Sequence, residues 1–131
     1  QAADPDMSAF LERGGKLLLW HGWDDTGPSP FMTIDYFERM RQVTARKVKS
    51  LDDGARLFIA PGVYHCRRGP GPDQIDFLGT IDAWVENDTA PESILATRTD
   101  GSLSRPVCRY PALPRYKRKG NPAEAASFSC R

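Results

Sequence analysis

Short continuous apolar runs alternate with helical stripes along the first half of the chain. Two runs, residues 16–20 and 56–60, predict strands, the first of them buried on both faces. Between them apolar residues recur at helical spacing, which predicts a helix from Ser29-Pro30 to about residue 47. The order strand, loop, helix, strand indicates an α/β protein with parallel pairing.

The pattern predicts three further elements. Asp4-Pro5 favours the start of a short first helix, which Gly14-Gly15 would end. The Gly- and Pro-rich turn at residues 69–72 precedes a third helix, and a short strand follows at residues 94–96. The stripe that this third helix is expected to bury consists of Ile75, Leu78, Ile81, Trp84 and Val85.

Two or three parallel strands cannot cover their own faces and edges. We therefore expect residues 1–99 to form one end of a larger α/β sheet, the C-terminal part of a catalytic domain. Residues 100–131 show little periodicity, and we expect them to form an ordered but irregular tail that packs on the same domain.

Composition and charge exclude few functions. The chain has 131 residues, of which 40% are hydrophobic and 27% are charged, which is ordinary for one globular domain. Its net charge of +1 gives no strong field towards nucleic acid or an anionic membrane. It contains no apolar run of about 18 residues that would predict a membrane-spanning helix. The first residues do not show the basic and apolar regions of a signal peptide.

The two histidines, His21 and His65, each follow a predicted strand. In open α/β sheets catalytic groups collect at the carboxyl ends of the strands. Asp25 lies on the first of these loops, and an acid that precedes a histidine is the chain order of the α/β-hydrolase triad. Alternatively, both histidines are ordinary loop residues and His65 is merely hydrogen-bonded, because so short a motif is a weak signal.

A nucleophile for such a triad is not found in the sequence. No Gly-x-Ser-x-Gly segment is present, and Ser29 is explained as the N-cap of the predicted second helix. Ser127 and Ser129 lie in the tail. We therefore expect this chain to be inactive by itself.

The cysteines are Cys66, Cys108 and Cys130. The last two flank the Pro-rich tail, which favours a disulfide clasp over a metal site. The odd count leaves one thiol to seek a partner outside the chain, and structural zinc is not expected without a Cys-x-x-Cys pair. Three reduced cysteines in a cytosolic protein, or a metal site built from the two histidines, Asp25 and Cys66, are the alternatives.

Many short motifs in register resemble the tannase and feruloyl esterase family over essentially the whole chain. Those around the two histidines are Gly14-Gly15-Lys16-Leu17, His21-Gly22-Trp23-Asp24-Asp25, Ser29-Pro30, Thr33-Ile34-Asp35-Tyr36, Arg56-Leu57-Phe58, Pro61-Gly62-x-x-His65-Cys66 and Gly69-Pro70-Gly71-Pro72-Asp73. Those nearer the end are Trp84-Val85-Glu86, Ala90-Pro91, Arg105-Pro106-x-Cys108-x-Tyr110-Pro111, Arg115-Tyr116 and Phe128-x-Cys130.

The resemblance implies the C-terminal portion of an α/β-hydrolase fold, with Asp25 as catalytic acid and His65 as catalytic base. It implies a disulfide between Cys108 and Cys130, and another between Cys66 and a cysteine upstream of this chain, beside the nucleophilic serine. Asp24 departs from the family, which has a small residue there. Asp24 could be the acid or perturb its neighbour, but the spacing from His21 favours Asp25.

The implied activity is hydrolysis of aromatic-acid esters, such as feruloyl, galloyl, related phenolic or terephthalate-type esters, in a secreted or periplasmic enzyme. The expected partners are the N-terminal remainder of the protein and a small aromatic ester, not nucleic acid or a membrane. No cofactor or metal is expected in this chain, although the family's lid can hold a structural calcium ion. The alternative is a non-catalytic homologue that serves as a structural or binding module.

Overall fold

Two parallel strands joined by a helix form the centre of the molecule. The structure, a computed structural model, describes residues 4–131. Strand β1 (Leu17–Gly22) pairs with β2 (Ala55–Ala60) in parallel, and helix α2 (Pro30–Thr44) connects them. The predicted parallel α/β unit is therefore present. Its register sets Gly22 opposite Ala60, so that the carboxyl ends of both strands meet at one edge.

The first helix, α1, begins later than the sequence predicted. It spans Ser8–Glu12 rather than starting at Asp4-Pro5. Aspartate side chains hold the preceding segment in local turns, because the Asp4 carboxylate accepts a hydrogen bond from the Asp6 amide (2.9 Å) and the Asp6 carboxylate accepts one from the Ser8 amide (3.1 Å). These bonds compete with helical ones at the position where Asp4 was expected to act as the cap.

The third helix, α3, spans Phe77–Asn87 and exposes part of the stripe that was expected to be buried. Leu78 is 82% exposed and Val85 is 56% exposed, whereas Trp84 is buried. The helix faces the sheet with Phe77, whose ring stacks on Trp20 at 4.5 Å, and with Trp84 seven residues later. Since each residue turns a helix by about 100°, the next residue after each of these faces away from the core.

The expectation of an irregular tail after residue 100 is wrong. Strand β4 (Ser93–Thr97) pairs antiparallel with β3 (Gln74–Ile75) and β5 (Ser104–Cys108), and β6 (Pro114–Tyr116) pairs with β7 (Phe128–Cys130). The three strands beyond residue 100 are short, and β5 and β6 include prolines, so their sequences do not show the alternation that predicts a strand. The β4–β5 hairpin crosses the expected boundary between residues 99 and 100.

The C-terminal region is joined to the central pair by a backbone hydrogen bond and is closed on itself by a disulfide. The Tyr110 amide donates to the Leu57 carbonyl of β2 at 2.8 Å. The predicted disulfide between Cys108 and Cys130 is present and ties β5 to β7 across 22 residues. In the chain-entropy model, a disulfide that closes a loop of that size stabilises the folded state by about 3 kcal/mol.

Two apolar clusters cover opposite faces of β2. One contains Phe58, Ala60, Val63, Ile94, Ala96 and Val107; the other contains Phe37, Met40, Leu51, Ala55 and Leu57. Strand β2 is almost fully buried, but residues 17–21 of β1 are only partly buried. The expectation that β1 is buried on both faces is therefore wrong for residues 4–131, within which β1 pairs with β2 alone. No helix of the described chain has the length and apolar character needed to cross a membrane.

Candidate active site

The two loops that leave β1 and β2 touch through their backbones. After the roles that the sequence predicts for Asp25 and His65, we name residues 22–27 the acid loop and residues 61–71 the base loop. The Asp24 amide donates to the Val63 carbonyl at 3.1 Å. A Cβ atom at Gly22 would collide with the carbonyl oxygens of Val63 and Tyr64. Glycine is therefore needed where the loops come together.

Asp25 is the buried centre of the site. Its side chain is 3% exposed, and its Oδ2 lies 2.7 Å from Nδ1 of His65. Its Oδ1 accepts a hydrogen bond from the Gly27 amide at 2.8 Å. Burial raises the pKa of Asp25, but the hydrogen bonds from His65 and Gly27 outweigh it, so the pKa falls below the usual 3.8. The carboxylate is therefore ionised at neutral pH.

His65 is mostly exposed, with 65% of its side chain open to solvent. A carboxylate only accepts hydrogen bonds, so Nδ1 carries the proton that is donated to Asp25. In the neutral ring Nε2 then has a free lone pair, and no hydrogen-bond partner for it is found within residues 4–131. This arrangement leaves Nε2 able to take a proton from a hydroxyl group brought to the surface of the chain.

The conformation of the base loop is held by a hydrogen bond within the loop and by Arg98, the residue that follows β4. The Gly71 amide donates to the Gly62 carbonyl at 2.7 Å, across the neck of the loop. The guanidinium of Arg98 donates to the carbonyls of Pro70 at 2.6 Å and Gly69 at 3.2 Å. The loop therefore presents His65 from a closed and braced turn.

Two residues beside His65 adopt left-handed backbone conformations. Cys66 has φ of 64° and Arg68 has φ of 67°. The Arg68 amide donates to the Asp73 carboxylate at 2.7 Å, and this bond lowers the pKa of Asp73. Such backbone strain persists only where surrounding contacts impose it. Cys66 is exposed and forms no disulfide within the described chain.

The remaining predicted positions lie as follows. Asp24 is half-exposed, and its carboxylate makes no hydrogen bond or ion pair among residues 4–131, so the structure brings Asp25 rather than Asp24 to His65. Trp23 packs edge-on against Phe31 at 5.5 Å and lines an apolar cavity of about 490 Å³ together with Ile59. Neither Asp25 nor His65 lines that cavity.

Sequence reasoning used His21 to place Asp25 and as a ligand of the alternative metal site, but gave it no part in the acid–base pair; in the structure it lies against Asp25. Its Nε2 is 3.2 Å from Asp25 Oδ2, and its Nδ1 is 2.8 Å from the Thr33 hydroxyl. The only sequence signal was the spacing of four residues between His21 and Asp25. Within residues 4–131, no three His, Cys, Asp or Glu side chains are grouped so as to hold a metal ion.

The whole chain matches the family model described as "Tannase and feruloyl esterase", over residues 1–131. It is 40% identical over 135 residues to mono(2-hydroxyethyl) terephthalate hydrolase of Piscinibacter sakaiensis, covering 98% of this chain and 22% of that protein. It is 41% identical over 138 residues to a probable feruloyl esterase of Arthroderma benhamiae, covering 98% and 25%. The chain thus spans about a quarter of the length of these curated relatives.

Solved structures show the same architecture. An esterase from Aspergillus oryzae superimposes with a TM-score of 0.88 at 30% identity, covering 98% of this chain and 30% of that one. Feruloyl esterase B from Aspergillus oryzae also gives 0.88, at 26% identity, covering 98% and 29%. The mixed α/β fold is that of esterases of the α/β-hydrolase type. The chain belongs to the tannase and feruloyl esterase family, which confirms the resemblance predicted from the sequence.

Proposed function

We propose that this chain supplies the acid and the base of a serine carboxylic-ester hydrolase that acts on esters of aromatic acids. Asp25 is the acid and His65 is the base. The nucleophilic serine is supplied by a part of the protein outside these 131 residues. The observation that carries the proposal is the 2.7 Å contact between a buried, ionised carboxylate and the Nδ1 of an imidazole whose Nε2 is open.

The proposed reaction uses His65 twice. Nε2 takes the proton of the serine hydroxyl while the serine oxygen attacks the ester carbonyl, and Asp25 stabilises the imidazolium that forms. The imidazolium then returns this proton to the departing alcohol, which leaves an acyl-serine. Water, deprotonated by the same Nε2, attacks the acyl-serine; its proton passes back to the serine oxygen as the aromatic acid leaves.

The substrate class is supported by the relatives. One is a hydrolase of mono(2-hydroxyethyl) terephthalate and another is a probable feruloyl esterase, so both names specify an aromatic acid joined to an alcohol. The choice between feruloyl, galloyl and terephthalate-type acyl groups depends on contacts outside this chain. A calcium ion in a lid would also take its ligands there, since the described residues offer no such group.

Cys66 is proposed to form a disulfide with a cysteine next to that serine. Its exposure and its position beside His65 allow a sulfur bridge to hold the serine and histidine loops together. A secreted or periplasmic location is proposed with it, because the Cys108–Cys130 disulfide persists in oxidising compartments. Peptide mapping of the full-length protein without reductant should find Cys66 linked outside residues 1–131, and a free reactive thiol would contradict this bridge.

The function is tested with the full-length protein that contains this chain. It should hydrolyse methyl ferulate or mono(2-hydroxyethyl) terephthalate, and it should react with a serine-directed fluorophosphonate. His65→Ala should lower kcat by about 10³- to 10⁶-fold, because the nucleophile loses its base. The exposed side chain of His65 makes a folding defect unexpected.

Arg115→Ala, a change at an exposed position on β6, serves as the matched control and should keep the parent rate. A wild-type protein that neither hydrolyses these esters nor reacts with the fluorophosphonate would be a non-catalytic homologue. A His65→Ala variant with nearly the parent rate would also overturn the proposal.

A further inference from the structure

His21 is a second histidine that lies against the carboxylate of Asp25. It occupies the fifth position of β1, and its side chain is 12% exposed. Its Nε2 lies 3.0 Å from the Pro28 carbonyl oxygen and 3.2 Å from Asp25 Oδ2, the same oxygen that His65 contacts. A second imidazole therefore touches the catalytic carboxylate.

The hydrogen-bond partners of His21 define its tautomer. A carbonyl and a carboxylate only accept hydrogen bonds, so Nε2 carries the proton. The Thr33 hydroxyl lies 2.8 Å from Nδ1. In the neutral ring Nδ1 accepts, so the hydroxyl donates to it. Thr33 lies in the first turn of α2, which follows directly from the loop that contains Pro28.

We propose that His21 is a positioning residue for the acid–base pair, held by Thr33 and Pro28 as a neutral Nε2–H donor that orients the Asp25 carboxylate towards His65. This inference rests on the proposed function. Gly27 donates to Oδ1, and the Nε2 of His21, which is hydrogen-bonded to the Pro28 carbonyl, lies 3.2 Å from Oδ2, so the two contacts together oppose rotation of the carboxylate away from His65.

A neutral donor suits this position better than a cationic one. During the reaction His65 becomes an imidazolium that must be stabilised by Asp25. A charged Lys or Arg at position 21 would form a competing ion pair with the same oxygen. The neutral ring orients the carboxylate and leaves its charge available to His65. The distances agree with His65 as the main partner of the carboxylate, since its nitrogen lies 2.7 Å from Asp25 Oδ2 and that of His21 lies 3.2 Å away.

The test measures kcat and KM for methyl ferulate in variants of the full-length protein. His21→Leu removes the donor and should lower kcat by about 10- to 100-fold with little change in KM, as expected for a carboxylate displaced by part of an ångström. His21→Gln places an amide N–H near the position of Nε2 and should recover most of the loss. A merely structural role would not distinguish these two variants in kcat at equal thermal stability.

The second pair of variants addresses the tautomer and does not depend on replacing His21. Thr33→Val keeps the shape of the side chain and removes the hydroxyl, whereas Thr33→Ser keeps the hydroxyl. Thr33→Val should lower kcat by about 3- to 10-fold more than Thr33→Ser does, since one neutral hydrogen bond is lost. This comparison decides the matter even if His21→Leu does not fold.

The outcomes separate this inference from the function on which it rests. If His65→Ala keeps the parent rate, the proposed function fails and the inference fails with it. If His65→Ala is inactive while folded His21→Leu keeps the parent kcat, the function stands and only the inference is overturned. Equal kcat values for Thr33→Val and Thr33→Ser, or for His21→Leu and His21→Gln, would also overturn it.

Discussion

The acid loop and the base loop meet at one edge of the sheet but are built in different ways. The Asp25 side chain is 3% exposed, and its two oxygens contact the Gly27 amide and both histidines. The His65 side chain is 65% exposed, and Asp25 is its side-chain partner within the described residues. The described residues therefore enclose the carboxylate of Asp25, the proposed acid, whereas they leave Nε2 of His65, the proposed base, open to solvent.

Under the proposed function, this difference assigns different parts of the mechanism to the two loops. A buried carboxylate fixed from several directions is preorganised before any substrate binds. An exposed imidazole held through one nitrogen is ready to meet a group supplied from elsewhere. Changes in the acid loop should therefore affect charge and orientation inside this chain, and changes in the base loop should affect how His65 is presented to the nucleophile.

The largest effect should come from removing the charge of the buried acid. Asp25→Asn in the full-length protein should lower kcat by about 10⁴-fold, because an amide neither fixes the His65 tautomer nor stabilises its imidazolium. The measurement is steady-state hydrolysis of methyl ferulate.

Asp24→Asn is the matched control, since it makes the same chemical change at the adjacent residue. Asp24 is half-exposed, and its carboxylate makes no hydrogen bond or ion pair with either histidine within residues 4–131, so its variant should stay within about 3-fold of the parent, as expected for a surface substitution. The reverse order of the two variants would move the acid to Asp24.

The second effect should come from separating the two loops without touching their catalytic side chains. A Cβ at Gly22 would meet the backbone carbonyls of Val63 and Tyr64, which cannot move aside as a flexible side chain could. Gly22→Ala should therefore displace Asp25 from His65 and lower kcat by about 10²-fold, as expected for a misplacement near 1 Å. Steady-state hydrolysis and thermal unfolding would be measured together.

Gly101→Ala is the control for adding a methyl group to a glycine. Gly101 has φ of 71° and nothing within 4 Å of the added atom, so that variant should cost about 1 kcal/mol of backbone strain and leave kcat unchanged. A Gly22→Ala variant with the parent kcat would show that the loops tolerate separation.

The sequence was sufficient for the parts of this site that depend on chain direction. Asp25 and His65 each follow an apolar run that forms a strand, and parallel strands bring their carboxyl ends to the same edge. The pairing of Cys108 with Cys130 was also predicted correctly, from their position around the tail and from the family resemblance. These inferences needed only the order of the elements and the residue types.

The rest depends on contacts that a local pattern does not encode. The proposed positioning role of His21 depends on its hydrogen bonds with the Thr33 hydroxyl on the next helix and with the Pro28 carbonyl. The strands of the C-terminal region were missed because β5 includes Pro106 and pairs with β4 through a turn that has no apolar alternation. Leu78 and Val85 were misplaced because a one-residue shift in the helix phase moves a side chain from the core to solvent.

The smallest effect should come from loosening the base loop at its far end. Arg98 is half-buried and donates to the carbonyls of Gly69 and Pro70, but the loop is also closed by its own bond between Gly71 and Gly62. Arg98→Gln removes the charge-assisted hydrogen bonds but keeps the bond between Gly71 and Gly62. We therefore expect kcat to fall by only about 3- to 10-fold, less than the loss of a charge-assisted hydrogen bond would cause if nothing else held the loop. The measurement is again steady-state hydrolysis of methyl ferulate.

Arg115→Gln makes the same chemical change at an exposed position on β6 and should keep the parent rate. Equal rates for the two arginine variants would show that the guanidinium does not hold the base loop. If Arg98→Gln lowered kcat as much as Asp25→Asn does, the position of His65 would depend on Arg98 as strongly as the proton transfer depends on Asp25. The base loop would then be held as firmly as the acid loop, contrary to what the difference in burial of the two side chains indicates.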